Sequence, residues 1–252
     1  FGQSRGVTDG TSSVATSAWK YRAALDGNAE EVGYTAGSFD GRLLLSASYT
    51  ANWSKYAATS FGLIYQRYRP FRYSYCYNGD ANGDSQFSND LMYIPANFDE
   101  VKDHLLPGDF DSQEDAWKAM NAFIEQDPYL SKHRGEYAER NGAIAPFANQ
   151  LDLSVSHDIK IYQKNGRSHT LRFSFNIANF LKLLNRNWGV VKTNVLVSQQ
   201  YQCMTILKGQ GPSAANNYTL KYTMAKDLDE TFKDNLNDVS RWQMQFGIKY
   251  IF

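Results

Sequence analysis

Alternation of apolar and polar residues, held for about ten residues at a stretch and repeated along the chain, most restricts what this sequence can fold into. In residues 42–53, Leu43, Leu45, Ala47, Tyr49, Ala51 and Trp53 share one parity, and Arg42, Ser46, Ser48, Thr50 and Asn52 share the other, with Leu44 an exception. Residues 60–66 place Phe61, Leu63 and Tyr65 together, and the same parity resumes at Phe71, Tyr73, Tyr75 and Tyr77. LDLSVSHDIKI (151–161) sets Leu151, Leu153, Val155, Ile159 and Ile161 against Asp152, Ser154, Ser156, Asp158 and Lys160. TLRFSFNIA (170–178) sets Leu171, Phe173, Phe175 and Ile177 against Arg172, Ser174 and Asn176. The chain stops on RWQMQFGIKYIF (241–252), where Trp242, Met244, Phe246, Ile248, Tyr250 and Phe252 fall on one side. A period of two belongs to strands with one apolar face, not to helices. With weaker strands near 14–25, 189–207 and 217–225, the expectation is an all-β, antiparallel up-and-down fold of about eight strands.

The connections alternate in length. A short set comprises 54–58, QKNGR (163–167) with its Asn-Gly hairpin signal, and a Gly/Ser/Asn-rich stretch at 208–217. The other set, 26–40, 76–148, 180–188 and 226–240, is mostly longer and polar. Short turns on one side and long loops on the other is the asymmetry of an outer-membrane β-barrel.

One apolar face is common to a lipid-facing barrel and a soluble sandwich. Three features favour the barrel. The apolar faces of the five segments hold no Asp, Glu, Lys or Arg, and His157 is their only polar member. A charge at mid-bilayer costs on the order of 2–4 kcal/mol on such a face. Trp53, Tyr65, Trp242, Tyr250 and Phe252 lie near strand ends, where aromatic girdles meet headgroups. The segments also suit a tilted bilayer span better than the five or so residues usual in soluble sheets. A complete eight-stranded barrel with adhesive loops is a further alternative. Lys+Arg and Asp+Glu are both 26, which gives no overall bias toward nucleic acid. The chain begins on Phe1 rather than Met, so an N-terminal part is expected to precede it.

Several local patterns invite chemistry. Asp80, Asn82 and Asp84 have the D-x-N-x-D spacing of a calcium loop, with Asp90 as a later carboxylate. Ser85 stands where that pattern has Gly, and Leu91 where it has Glu, and the same residues suit an Asx-rich surface turn. RYRPFRY (67–73) joins Arg67, Arg69 and Arg72 to aromatics. That combination suits lipopolysaccharide phosphates or an acidic ligand, and the preferred reading is the solvated upper end of a strand. Ser112, Gln113, Glu114 and Asp115 make an N-cap and acidic first turn for a helix carrying Trp117, Met120, Phe123 and Ile124, ended by Asp127-Pro128. Cys76 and Cys203 are read as unrelated free thiols, with a disulfide as the alternative. His104, His133, His157 and His169 show no ligand spacing, and no motif argues for an enzyme.

Four blocks in order resemble a known family: SYCYNGDANGDSQFSNDLMYIP (74–95), RGEYAERNGAIAPFANQLDLSVSHDI (134–159), NIANFLKLLNRNWG (176–189) and the terminal RWQMQFGIKYIF. Together they look like the C-terminal β-barrel portion of TonB-dependent outer-membrane receptors of the Oar-like group, Bacteroidota type. The resemblance implies a barrel of about 22 strands, of which 1–252 would be the C-terminal part of one domain, with 76–148 an extracellular loop and the plug not in this chain. It implies transport of a nutrient ligand through the bacterial outer membrane, long loops outside and the C-terminus periplasmic. Implied partners are outer-membrane lipid, a TonB-type energising complex acting through the plug, the barrel assembly machinery and a surface lipoprotein. Trp242, Phe246, Tyr250 and Phe252 would be the assembly signal. The alternative is a non-transporting structural or assembly subunit that retains this barrel as a scaffold.

Overall fold

In a computed structural model the chain is mostly β, with 44% in strands and few helices. The structure describes residues 2–8, 13–38, 40–162, 168–196, 200–206 and 221–252. The Asn-Gly turn at 163–167 and the stretch 208–217 lie outside the described residues, the latter entirely. Two compact units emerge: residues 41–70, 146–192 and 234–252 form one, and residues 1–40, 71–145 and 193–233 the other.

The first unit is a five-stranded sheet. Its strands are β1 (Arg42–Ser54), β2 (Ala57–Tyr68), β3 (Ala148–Tyr162), β4 (Ser168–Ala178) and β5 (Gln243–Ile251). Spatial order follows chain order, and every neighbour is antiparallel, so the sheet is a meander. All five alternating segments therefore form strands, and the expected all-β, antiparallel character holds. The meander has five strands rather than about eight. The segments near 189–207 and 217–225 do contain strands, Lys192–Asn194, Gln200–Ile206 and Tyr222–Met224, but none joins this sheet. No ring of strands closes among the described residues: β1 and β5 each pair on one side only.

The chain makes its long departures from one end of the sheet, where Tyr68 faces Ala148 and Ala178 faces Gln243. At the other end β1 returns into β2 through a tight turn at Lys55 and Tyr56. Of the expected short connections 54–58 contains this turn; of the long ones 76–148 lies between β2 and β3, while 180–188 and 226–240 fall within the one excursion between β4 and β5.

The second unit is built differently. Tyr73, Tyr75 and Tyr77 continue the parity of β2, yet they do not continue its strand. Pro70 lacks an amide hydrogen and interrupts the ladder. The strand Arg72–Asn78 that follows joins another sheet, in the order Tyr222–Met224, Gln200–Ile206, Arg72–Asn78, Ala143–Ile144. Gln200–Ile206 runs parallel to it, pairing Tyr201 with Tyr75 and Met204 with Tyr77. Arg72 to Cys76 are buried on both parities, the pattern of an interior strand rather than a half-wetted one. One side joins Tyr73, Tyr75, Tyr201, Met92, Met120, Phe123 and Ile124 in the main core. The other sets Cys76 against Ala23 and Leu91.

The helix Gln113–Gln126 starts as expected: Ser112 Oγ accepts the Asp115 amide at 3.1 Å, and Met120, Phe123 and Ile124 are buried. Residues 14–25 do not form a strand; Ala15–Lys20 is a short helix with Ala18 turned inward. Buried arginines hold this N-terminal stretch in the unit. Arg22 lies 3.8 Å from the Trp19 ring centroid and donates to Trp19 O and Ala29 O. Arg72 pairs with Asp40, stacks on Tyr34 at 3.9 Å and donates to Asn141 O at 2.8 Å.

Asp127 joins the stretches of chain that make this core. Its Oδ1 accepts the amides of Tyr129 and Leu130, both at 2.8 Å. Its Oδ2 accepts the hydroxyls of Tyr75 at 2.6 Å and Thr231 at 2.8 Å. Each donor left buried without a partner costs about 1–3 kcal/mol. Asp127→Ala should therefore destabilise this unit by roughly 3 kcal/mol or more, while Asp127→Asn, which can still accept both amides and donate to the hydroxyls, loses much less. Limited proteolysis of the two variants, scored for cuts within 71–145, measures this.

Candidate functional site

Register settles which side chains share a face of the sheet. Crossing from β1 to β5, one row reads Tyr49, Phe61, Val155, Phe175, Phe246, and the next Ala47, Leu63, Leu153, Ile177, Met244. Below them run Ala51, Thr59, His157, Phe173 and Ile248. Tyr49 is 69% exposed, Phe246 65% and Phe252 91%, so most of this face is uncovered among the described residues, with Ile177 its buried exception. Isolated exposed apolar residues are ordinary, but a contiguous sheet of them marks a surface meant for another apolar phase.

The opposite face is of another composition. It carries Arg42, Asp152, Asp158, Lys160, Arg172 and Lys249, with serines and threonines between them. Arg172 grips Asp158 through two bonds, at 2.6 and 2.8 Å. Gln66 donates to Gln150 at 2.8 Å and accepts from Arg42 at 3.0 Å. A cavity of about 480 Å³ lies over Ser48, Gly62, Ser154 and Asn176 on the middle of the sheet.

His157, the one polar residue expected on the apolar face, is satisfied there. Trp53 Nε1 donates to Thr59 Oγ1 at 2.8 Å, and Thr59 Oγ1 stands 2.8 Å from His157 Nδ1. The threonine hydroxyl, with one proton and two lone pairs, links the indole and the imidazole into one chain of hydrogen bonds. At the far end of the face Tyr250 OH lies 2.6 Å from His169 Nδ1 with the rings stacked. Trp242, Phe246, Tyr250 and Phe252, the expected assembly signal, all occupy this face on or beside β5, an edge strand.

Arg67 was not foreseen here. Pairing of Leu43 with Arg67 and of Arg67 with Asn149 places it on the apolar face, one row past Leu45, Tyr65 and Leu151. Among the described residues it is the only charged one that register puts on that face. The alternating segment 60–66 ends short of it, whereas β2 runs to Tyr68, and one further step of the same parity reaches Arg67.

The D-x-N-x-D loop forms an Asx ladder in the other unit. Asp80 Oδ1 accepts the Gly83 amide at 2.6 Å and Oδ2 the Ser85 amide at 2.9 Å. Asn82 Oδ1 accepts from Asp84 N at 2.9 Å, and Asp84 Oδ1 from Gln86 N at 2.7 Å. Ser85 has φ 68°, the left-handed conformation for which the calcium pattern uses Gly. Among the described residues no group of three or more His, Cys, Asp or Glu is placed to hold a metal ion. The loop oxygens are spent on backbone amides, which is the surface-turn arrangement; calcium would have to share them.

Buried Asp90 supports the loop, its Oδ2 accepting the amides of Ala81 at 2.5 Å and Asn82 at 3.3 Å. Burial pushes its carboxyl up to about 6 against the pull of those amides, and the charges of Asp84 and Asp80 add to the rise. Cys76 and Cys203 are free and buried. Burial raises both thiols, Cys203 to about 12, so neither is a nucleophile near neutrality. Cys203 contacts Met92 Sδ at 3.3 Å.

No protein-family model, curated protein or solved structure matches the chain.

Because Asp90 holds its proton more tightly folded than unfolded, folding stability should fall as pH rises from about 4 to 6. The neutral Asp90→Asn retains an acceptor for the two amides and should remove that slope, a difference on the order of 2 kcal/mol above pH 6 that vanishes below about pH 4. Thermal unfolding followed against pH for both proteins reads the difference; parallel curves would show that Asp90 is ionised without penalty. Repeating the pair with added calcium tests the ion, since a bound cation would stabilise the wild type and, through Asp80, Asn82 and Asp84, the variant to a lesser degree, while no shift in either removes it.

Proposed function

We propose that the five-stranded sheet is part of the wall of an outer-membrane β-barrel, with its apolar face against lipid and its polar face toward a lumen. The observation that carries this reading is the continuous apolar face, free of charge in every row except the last, backed by a polar face that carries charged residues and the Arg172–Asp158 pair. A soluble sandwich would bury that apolar face under a second sheet, and no second sheet covers it among the described residues. β1 and β5 then continue the wall by pairing with further strands. The second unit, drawn from the chain at one end of the sheet, is the extracellular part.

The more specific function is import of a nutrient ligand by a TonB-dependent transporter, the chain supplying wall and loops while a plug couples to the energising complex. Its support is the four ordered sequence blocks, together with the long excursions between β2 and β3 and between β4 and β5. The Arg172–Asp158 pair and the polar side chains around it suit a wall that holds a plug through polar contacts. A scaffold role would keep the same wall; discriminating it requires the plug and coupling segment of the full-length protein.

Neighbouring residues on opposite faces test the lipid reading. Tyr49→Arg places a charge in the middle row of the apolar face, where it should cost about 2–4 kcal/mol, and the protein should accumulate less in outer-membrane fractions and lose its heat-modifiable gel mobility. Thr50→Arg, one residue on and facing the lumen, should leave both unchanged. Equal tolerance of the two substitutions would remove the membrane reading. Deletion of Phe252 should impair insertion without affecting synthesis or export, and normal insertion of the shortened protein would remove the assembly role.

A further inference from the structure

The apolar face ends in a cationic site. Row by row it passes from Leu45, Tyr65 and Leu151 to Leu43, Arg67 and Asn149. Arg67 is exposed, and among the described residues no carboxylate pairs with it. Its guanidinium carbon stands 4.3 Å from the ring centroid of Phe147, and that of Arg69 stands 4.2 Å from the same ring. Phe147 thus has two guanidinium groups about one ring. A cation over an exposed ring gains only about 0.5–1 kcal/mol, so an anion that accepts from the exposed Arg67 fork, with a second positive charge at the same ring, adds more than the ring does. Phosphate fits that demand, because it accepts parallel N–H bonds from arginine.

A cleft of about 540 Å³ adjoins them, lined in part by Tyr65, Phe147, Asn149, Trp188 and Lys192. Tyr65 OH donates to Asn149 Oδ1 at 2.9 Å, which fixes one wall, and Lys192 Nζ holds Asp234 Oδ1 at 2.5 Å on another. Tyr65 and Asn149 belong to the apolar face, so the cleft opens on that side of the sheet. Aromatic side chains with one wet end, followed directly by arginine, are the sequence of chemistries met on moving from hydrocarbon into headgroups.

We propose that the surface beside this cleft binds the phosphate of a lipid headgroup, with Arg67 as its ligand, Arg69 as the second positive charge at the Phe147 ring, and acyl chains lying along Leu43, Leu45 and Leu151. The site rests on the reading that this face meets lipid, and goes beyond it by naming a lipid chemistry and the residues that select it.

The test uses the full-length protein purified in non-ionic detergent and incubated with phosphorylated lipid A, dephosphorylated lipid A or inorganic phosphate, with retained ligand counted by native mass spectrometry. Wild type should retain the phosphorylated lipid, and the Arg67→Gln/Arg69→Gln double variant should retain it at least roughly tenfold less, the loss expected from one or two charged hydrogen bonds. Dephosphorylated lipid should bind both proteins equally weakly. Phe147→Leu, which keeps both charges and removes the ring, should fall between them and serves if the double variant fails to fold. Lys249→Gln, on the lumen face, should match wild type. Equal retention of the two lipids, or no effect of the double variant, overturns the site while heat-modifiable mobility still upholds the barrel. Displacement of the lipid by inorganic phosphate at low concentration overturns the lipid source in favour of a free anion. Loss of heat-modifiability in wild type itself overturns the barrel and the site with it.

Discussion

The pairing of β2 with β3 is the constraint on which the rest of the structure depends. It runs without a break from Ala57 opposite Ile159 to Tyr68 opposite Ala148, joining strands separated by a long excursion of chain. A slip of one residue would turn every side chain of one strand to the other face, putting Asp152 and Asp158 among Leu63 and Phe61. The apolar face that β2 and β3 share and the position of Arg67 on it both follow from this one register. Small residues permit it: Gly62 faces Ser154 so closely that an added Cβ would collide with the serine hydroxyl.

Much of the sheet was legible in the sequence because alternation is a local property. Five segments announced five strands, and their shared parity announced the common face. The helix Gln113–Gln126 was equally plain, since Ser112 and the acids after it state its start and Asp127-Pro128 its end. What parity cannot reveal is which sheet a strand enters. Tyr73, Tyr75 and Tyr77 carry the rhythm of β2 past Pro70 into a buried strand with a parallel neighbour, and only three-dimensional partners distinguish the two environments. Ala15–Lys20 was missed for the opposite reason: a helix of six residues is too short to display its period.

The candidate sites divide along the same line. Asx turns and calcium loops draw on one alphabet of Asp, Asn and Gly at the same spacing, so Asp80, Asn82 and Asp84 could not be resolved without knowing where their oxygens point. Arg67 was hidden by where a segment was taken to stop. Its partner Phe147 lies far along the chain, and nothing in either stretch alone signals that two arginines stack on one ring.

The connectivity of Asp127 has a consequence for the order of events during folding. Its bonds to Tyr75 and Thr231 bridge sequence separations of 52 and 104 residues, and the unit it anchors is assembled from chain on both sides of β3 and β4. Contacts so distant are slow to form, because loop-closure entropy is spent before they contribute. The bond to Tyr75 closes within the excursion between β2 and β3 and spans less chain than the β2–β3 ladder itself, so it does not have to wait for the sheet. Thr231 lies beyond β3 and β4, which makes its arrival at the carboxylate the late step and Asp127 the point where two folding events of different reach are joined.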